Sequence, residues 1–299
     1  LRLDPNYINS LAASVDQSNS SIATLTGELS SGLSVSSLQD NPTAVAQSTL
    51  LNSAISADDT YVQTASSEQS RLQVADSTLG EVVTQLTSAI STAVEGNDGS
   101  LNAANLASIS QKLSGIRDQV LSLANTSYQG QYLFSGSQGS VQPFTLDAST
   151  TPATTTYNGD TNIQSIDTPN GQTIQTNLPG SAVFGGASGA FTALNQLIAD
   201  YSSGASSATL TTDTSALTTA LGQVSDQRSV LDNALSTVES TSTYAQTQAA
   251  DLTVQQGSLV SADPAMVATQ LSSAETQQQA LLSAVSALQK NNNLFDYLQ

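Results

Sequence analysis

Apolar residues alternating in steps of three and four, sustained over most of the chain, constrain this protein more than anything else in its sequence. The pattern runs through Ile8, Leu11, Val15, Ser18, Ile22, Leu25, Leu29 and Gly32, then through Leu51, Ile55, Val62, Ala65, Leu72, Leu79, Val83, Leu86 and Ile90. It resumes in a shorter run from Leu106 to Leu123, in Leu217, Leu221, Val224, Leu231, Leu235, Val238, Ala245, Leu252 and Leu259, and in Val267, Leu271, Ala274, Leu281, Val285, Leu288 and Phe295. Such a repeat keeps one narrow stripe facing a neighbour along a whole helix, so it demands long helices packed nearly parallel to one another. Three cap-and-proline pairs, Asp4-Pro5, Asn41-Pro42 and Asp263-Pro264, start helices at the same points. There a side-chain oxygen satisfies free amides, and proline occupies a position needing no amide hydrogen.

Between Gly130 and Gly204 the periodicity shortens. Alternation in NIQSI and QTIQT, together with the Asn-Gly steps of YNGD (157–160) and PNGQ (169–172), predicts β-hairpins. Phe191, Leu194, Leu197, Ile198 and Tyr201 predict a short helix leading back into the long ones. The expected fold is mainly α: a long antiparallel, coiled-coil-like rod formed by both chain ends, with a small β-rich domain inserted at its far tip. Residues 1–40 with 262–299 would form a terminal pair, 41–130 with 205–261 a helical rod, and 131–204 the β-rich domain.

The terminal pair has a weakness. From Asn6 to Ser36, 14 of 31 residues are Ser, Thr or Asn. Each is about 0.5 kcal/mol worse than alanine in a helix, roughly 7 kcal/mol in all, which one thin seam hardly offsets. The chain nevertheless places Leu294, Phe295, Tyr297 and Leu298 at its C-terminal end, opposite Leu1, Leu3 and Tyr7 in an antiparallel pairing. The expected assembly interface, completed by other subunits, is Leu1, Leu3, Tyr7, Ile8, Leu11, Leu281, Val285, Leu288, Leu294, Phe295, Tyr297 and Leu298.

Charge and composition exclude several other functions. Six basic against 24 acidic residues give a net charge of −18, which opposes nucleic acid as a partner. With no histidine and no cysteine there is neither a Ser-His-Asp triad nor a thiolate metal site, so no catalytic, cofactor or metal residues are expected. No apolar run reaches the roughly 20 residues that span a bilayer, so no membrane partner is expected, and export would need a route without a cleaved signal. GGASGAF (185–191), NDGS (97–100) and NGDTN (158–162) are expected as turns, and NTS (125–127) as a helix end. Asp58-Asp59 is expected on a solvated helix face. Arg228 falls on a seam, where either a snorkelling side chain or an ion pair with a neighbouring helix would accommodate it.

LSSGLSVSSLQDNPTAVAQS (29–48) resembles the N-terminal signature of the flagellin superfamily, and LANTSYQGQYLFSGSQGSVQPF (123–144) resembles the segment where that family's long helix gives way to an outer β region. TTYNGDTNIQSI, GSAVFG and the terminal LFDYL are similar to a narrower branch, the proteins at the junction of hook and filament. Leu1-Arg2 stands where members usually begin Met-Arg, and LTSAISTAVEG (86–96) lacks the arginines that filament subunits carry late in the second helix. The resemblance implies a secreted, extracellular structural subunit exported through the flagellar type III channel. Its implied partners are identical copies in a ring, hook-associated protein 1, flagellin and a cytoplasmic export chaperone. The alternative within the family is flagellin, the filament subunit.

Overall fold

Three helix starts were expected from cap-and-proline pairs, and two lie among the described residues. In the computed structural model, which describes residues 5–35, 41–97, 102–185 and 189–296, Asn41 Oδ1 accepts from the Ala44 amide at 3.1 Å and α2 (Pro42–Gly96) follows. Asp263 Oδ1 accepts from Ala265 at 2.9 Å ahead of α7 (Pro264–Asp296). α1 spans Pro5–Ser31, while Asp4 lies outside the described residues. The remaining helices are α3 (Ala103–Ala124), α4 (Gly180–Phe184), α5 (Ala190–Ser203) and α6 (Ser207–Val260). The chain is thus mainly helical, with long helices from both ends and a small β region between them.

Contacts divide it into two compact units: Leu1–Ser56 with Gln248–Gln299, and Ala57–Thr247. In the second unit α2 and α6 run antiparallel. Tyr61 OH meets Thr241 Oγ1 at 2.5 Å, Asp76 meets Arg228, and Asn97 Nδ2 donates to Thr211 Oγ1 at 2.9 Å. The seam between them is closed: Leu72, Leu79, Leu86, Leu217 and Val224 are each at most 1% exposed. α3 joins through Ser110 Oγ, which donates to Ile198 O on α5 at 3.1 Å. The expected helix over 191–201 is α5, with Phe191, Leu194, Leu197 and Tyr201 buried and Ile198 half-buried.

Tyr201 OH donates to Ala93 O, which draws α5 against the last turn of α2. A Cβ at Gly96 would lie 2.6 Å from Ile109 Cδ1 and 2.9 Å from Tyr201 Oη, so a side chain there must displace Ile109 and the buried Tyr201 ring. Gly96→Ala is therefore expected to destabilise the second unit by about 2 kcal/mol, read from its urea midpoint, because the helices must part to admit a methyl group.

The strands of the β region lie between Ser127 and Gln175. They run from β1 (Ser127–Tyr128) and β2 (Gln131–Tyr132) through β3 (Phe144–Asp147), β4 (Thr154–Tyr157) and β5 (Ser165–Asp167) to β6 (Thr173–Gln175), paired as three antiparallel hairpins. PNGQ lies in the β5–β6 turn, where Gly171 takes φ +81°. YNGD is not a hairpin turn. It follows β4, whose partner β3 precedes it, and Asp160 bends the chain instead toward Ser137, whose amide its carboxylate accepts at 2.8 Å. The helix end at NTS stands as expected, with Asn125 capping α3 and exchanging side-chain hydrogen bonds with both backbone groups of Phe144 at 2.9 Å. Phe144 also packs on Tyr157, Phe184 and Phe191 with ring centroids 5.1 to 5.5 Å apart, and this cluster is continuous with the helical core.

Asp58, Asp76 and Asp213 are among the carboxylates that depart from ordinary solvated behaviour. Asp58, expected on a solvated face, is 2% exposed, and its Oδ2 finds no donor among the described residues. Its spacing from Tyr61, Ala65 and Leu72 puts it on the buried seam, where desolvation and then the Asp59 charge push its carboxyl up. Arg228 forms the interhelical pair rather than snorkelling: Nε and Nη2 lie 2.6 and 3.2 Å from the two oxygens of Asp76. This fork holds Asp76 below the usual carboxylate range.

Asp213 Oδ2 is buried beside the Asp200 carboxylate without a donor, and desolvation followed by Asp200 pushes the Asp213 carboxyl to about 6. A carboxyl whose pKa is raised on folding, here from 3.8, stabilises the fold below the unfolded value and loses that contribution as pH climbs through 6. Asp213→Asn should therefore stabilise the protein at about pH 8 by on the order of 1 kcal/mol after solvent screening, and change little at about pH 4. Thermal melts at the two pH values read this directly; equal gains at both would contradict the assignment.

Candidate assembly surface

The first unit is built by helices from both chain ends. α1 stops at Ser31 because Gly32 adopts φ +71°, the left-handed conformation that ends helices and that other residues resist. The turn that follows docks on the one between α6 and α7: Ser34 N donates to Val260 O at 2.8 Å, and Ala262 N to Gly32 O at 2.9 Å. From this clasp α1 and α7 run antiparallel, and Gln278 Nε2 donates to Asn19 Oδ1 midway along. Positions facing each other thus sum to roughly 294 to 297, from Ser34 with Val260 at the clasp to Asn19 with Gln278 midway along.

Of the expected interface, Leu11 lies in α1 and Leu281 and Val285 in α7, each half-buried. Tyr7 and Ile8 are in α1 and Leu288, Leu294 and Phe295 in α7, but their side chains lie outside the described residues, as do Leu1, Leu3, Tyr297 and Leu298 altogether.

The seam is open where the one in the second unit is closed. Val15, Ile22, Leu25, Leu271 and Ala274 are only half-buried, and among the described side chains of the two helices just Ser18 and Val267 are buried. The Ser18 hydroxyl has no partner among the described residues. Hydroxyls such as Thr24 and Thr26 turn back onto carbonyls four residues earlier, at 3.0 and 2.7 Å, which satisfies them without adding any packing.

Large apolar side chains stand in solvent on the same unit: Leu50 at 72% exposure, Val254 at 73%, Met266 at 59% and Leu282 at 50%, with Leu29 and Leu33 near 40%. Leu50, Leu51 and Leu259 line a shallow hollow of about 420 Å³ there. The heptads identified Leu29 and Leu259, but nothing in the sequence singled out Leu50, Val254 or Met266, which lie off the stripe. Arg2 and Lys290 are the cations of this unit and both lie outside the described side chains, so the described surface pairs apolar groups with acids and hydroxyls. Among its described residues there is no cluster of three or more metal-ligating side chains.

Residues 6–139 match the profile of the bacterial flagellin N-terminal helical region. Over 118 residues the chain is 30% identical to flagellar hook-associated protein 3 of Salmonella typhimurium and to that of Escherichia coli K12, a match covering 39% of this chain and 37% of each relative's length. Among solved structures, a flagellar hook-associated protein of Vibrio parahaemolyticus superposes with a TM-score of 0.66 at 19% identity, covering 74% of this chain and all of that one. Hook-associated protein 3 of Legionella pneumophila gives 0.63 at 15% identity, covering 70% of this chain and 98% of that one. At these identities the likeness establishes a shared fold.

Proposed function

We propose that this chain, whose residues 6–139 match the bacterial flagellin N-terminal helical region, is a structural subunit of the bacterial flagellum, an adaptor joining the hook-associated ring to the flagellin filament. The observation that carries this reading is the open α1–α7 seam beside a row of exposed leucines, valine and methionine: a surface of this kind is finished by neighbouring subunits. Its identity with hook-associated protein 3 relatives supports the junction over the filament.

In this reading residues 1–40 and 262–299 form the inner wall of a tube, 41–130 and 205–261 a middle layer, and 131–204 the outer part. Leu1, Leu3, Tyr7, Ile8, Leu288, Leu294, Phe295, Tyr297 and Leu298 extend the seam from Leu11, Leu281 and Val285. The partners are further copies in a ring, hook-associated protein 1 on one side, flagellin on the other, and an export chaperone that holds the apolar C-terminal helix in the cytoplasm before secretion. The subunit works outside the cell by packing, and no reaction is assigned to it.

Immunogold labelling of intact flagella tests the assignment. Gold confined to one spot where hook meets filament is expected. A continuous coat along the filament would make the chain a flagellin instead, and no label on the organelle would remove both readings.

A further inference from the structure

Apart from the assembly surface, the second unit holds a polar cleft around Arg71. This arginine, on α2, divides its guanidinium among several groups: Nη2 lies 2.9 Å from Gln164 Oε1 and 3.4 Å from Thr176 O, and Nη1 lies 3.5 Å from the Glu68 carboxylate. The β1–β2 hairpin stands over it. Its turn residues Gln129 and Gly130 both take positive φ, 50° and 79°, which closes a tight turn. Hollows of about 560 and 230 Å³ flank the hairpin, and Arg71, Gln129 and Gln131 line both of them. Tyr132, Leu133, Ser137, Ser140 and Gln164 also line the larger one, together with Gly136 and Gly139.

The chemistry of the lining narrows what could enter. Without an apolar floor the cleft does not suit an acyl chain or a steroid. Its one cation already faces Glu68 in a chain of net charge −18, so a polyanion is opposed as well. What remains is a neutral ligand rich in hydroxyls. Each glutamine amide presents a donor and an acceptor side by side, matching two adjacent hydroxyls, while the guanidinium supplies further donors. Glu68 Oε2 is buried against Arg71 Nη1 at 3.5 Å, which fixes the guanidinium at the edge of the smaller hollow and leaves the glutamine amides as the polar groups open to a ligand. A tyrosine ring can cover the C–H face of a pyranose, and the larger volume lies within the range of about 300 to 1,000 Å³ usual for small-ligand sites.

We propose that the cleft between Arg71 and the β1–β2 hairpin binds a neutral oligosaccharide. This assignment is independent of the junction reading, since its residues lie on the second unit.

Saturation-transfer NMR on the full chain tests it with neutral tetrasaccharides of glucose, mannose and N-acetylglucosamine, and with tetragalacturonate as the acidic counterpart. At least one neutral sugar is expected to bind with a dissociation constant between about 0.1 and 10 mM. Gln131→Ala, which removes an exposed amide, should weaken it roughly fivefold, and Gln131→Trp, which fills the hollow, should abolish it. Ser140→Leu provides a second blocking change from the other wall if the tryptophan lowers the melting temperature. No transfer from any neutral sugar at about 10 mM, equal binding by the blocked variants, or a salt-dependent preference for tetragalacturonate would overturn the proposal.

Discussion

A chain carrying Leu11→Asp together with Val285→Asp is expected to keep its second unit intact and to lose assembly altogether. The α1–α7 register sets the two positions opposite each other, and both are half-buried on a seam that has little burial to spare. Two carboxylates there would repel across a few ångströms and also expel any apolar helix approaching from another subunit. The second unit, Ala57–Thr247, has its own continuous core and should retain its urea midpoint within about 0.5 kcal/mol. The cellular readout is sharper. A strain with this variant should shed flagellin into the medium and carry hooks without filaments. Filaments in normal number would show that the α1–α7 seam is not the joint. If neighbouring subunits complete the seam as proposed, amide exchange along α1 of the wild-type subunit should be fast when it is isolated and slow within the organelle.

The opposite dissociation is expected from Phe144→Ala. Phe144 is 2% exposed and touches Tyr157, Phe184 and Phe191, while Asn125 clamps its backbone to the end of α3. Truncation leaves a cavity at the centre of this cluster, with a cost of about 4 kcal/mol, whereas Phe144→Leu should cost about 1.5 kcal/mol because most of the volume is kept. The loss is read as a lowered urea midpoint of the second unit with an unchanged slope. Since the ring belongs to the second unit and the α1–α7 seam to the first, subunits that survive export should still build a joint. A loss below 1 kcal/mol would mean that the β hairpins hang from the helices without sharing their core.

Much of this architecture is local, and what is local was legible. Asn41 and Asp263 act within a few residues of themselves, so each helix start could be placed from a cap and a proline. The seam of α6 at Leu217, Val224, Leu231, Val238 and Ala245 follows from 3.6 residues per turn, as does the buried face of α5. The Gly171 turn needed only a residue tolerant of positive φ. The sparse seam of the terminal helices was likewise written in their serine, threonine and asparagine content.

Relations between distant segments were not legible, because no local periodicity encodes the register of one element on another. The Asp76–Arg228 fork joins residues 152 apart, and either of two readings of Arg228 was open until the helices were aligned. YNGD has the composition of a hairpin turn, yet β4 had already paired with β3, and Asp160 found Ser137. Asp58 looked solvated because carboxylates usually are; one heptad phase, carried from Tyr61 and Ala65, was enough to bury it. Arg71 was one cation among six in the sequence, and it lines a cleft only because the β1–β2 hairpin and Gln164 are folded around it. The sequence alone therefore determined where the helices and turns lie and which helical stripe is apolar, since those depend on each residue and its near neighbours. Tertiary packing alone decided which charges pair, which carboxylates lose their water and where a cavity opens, since those depend on groups that chain folding brings together from far apart.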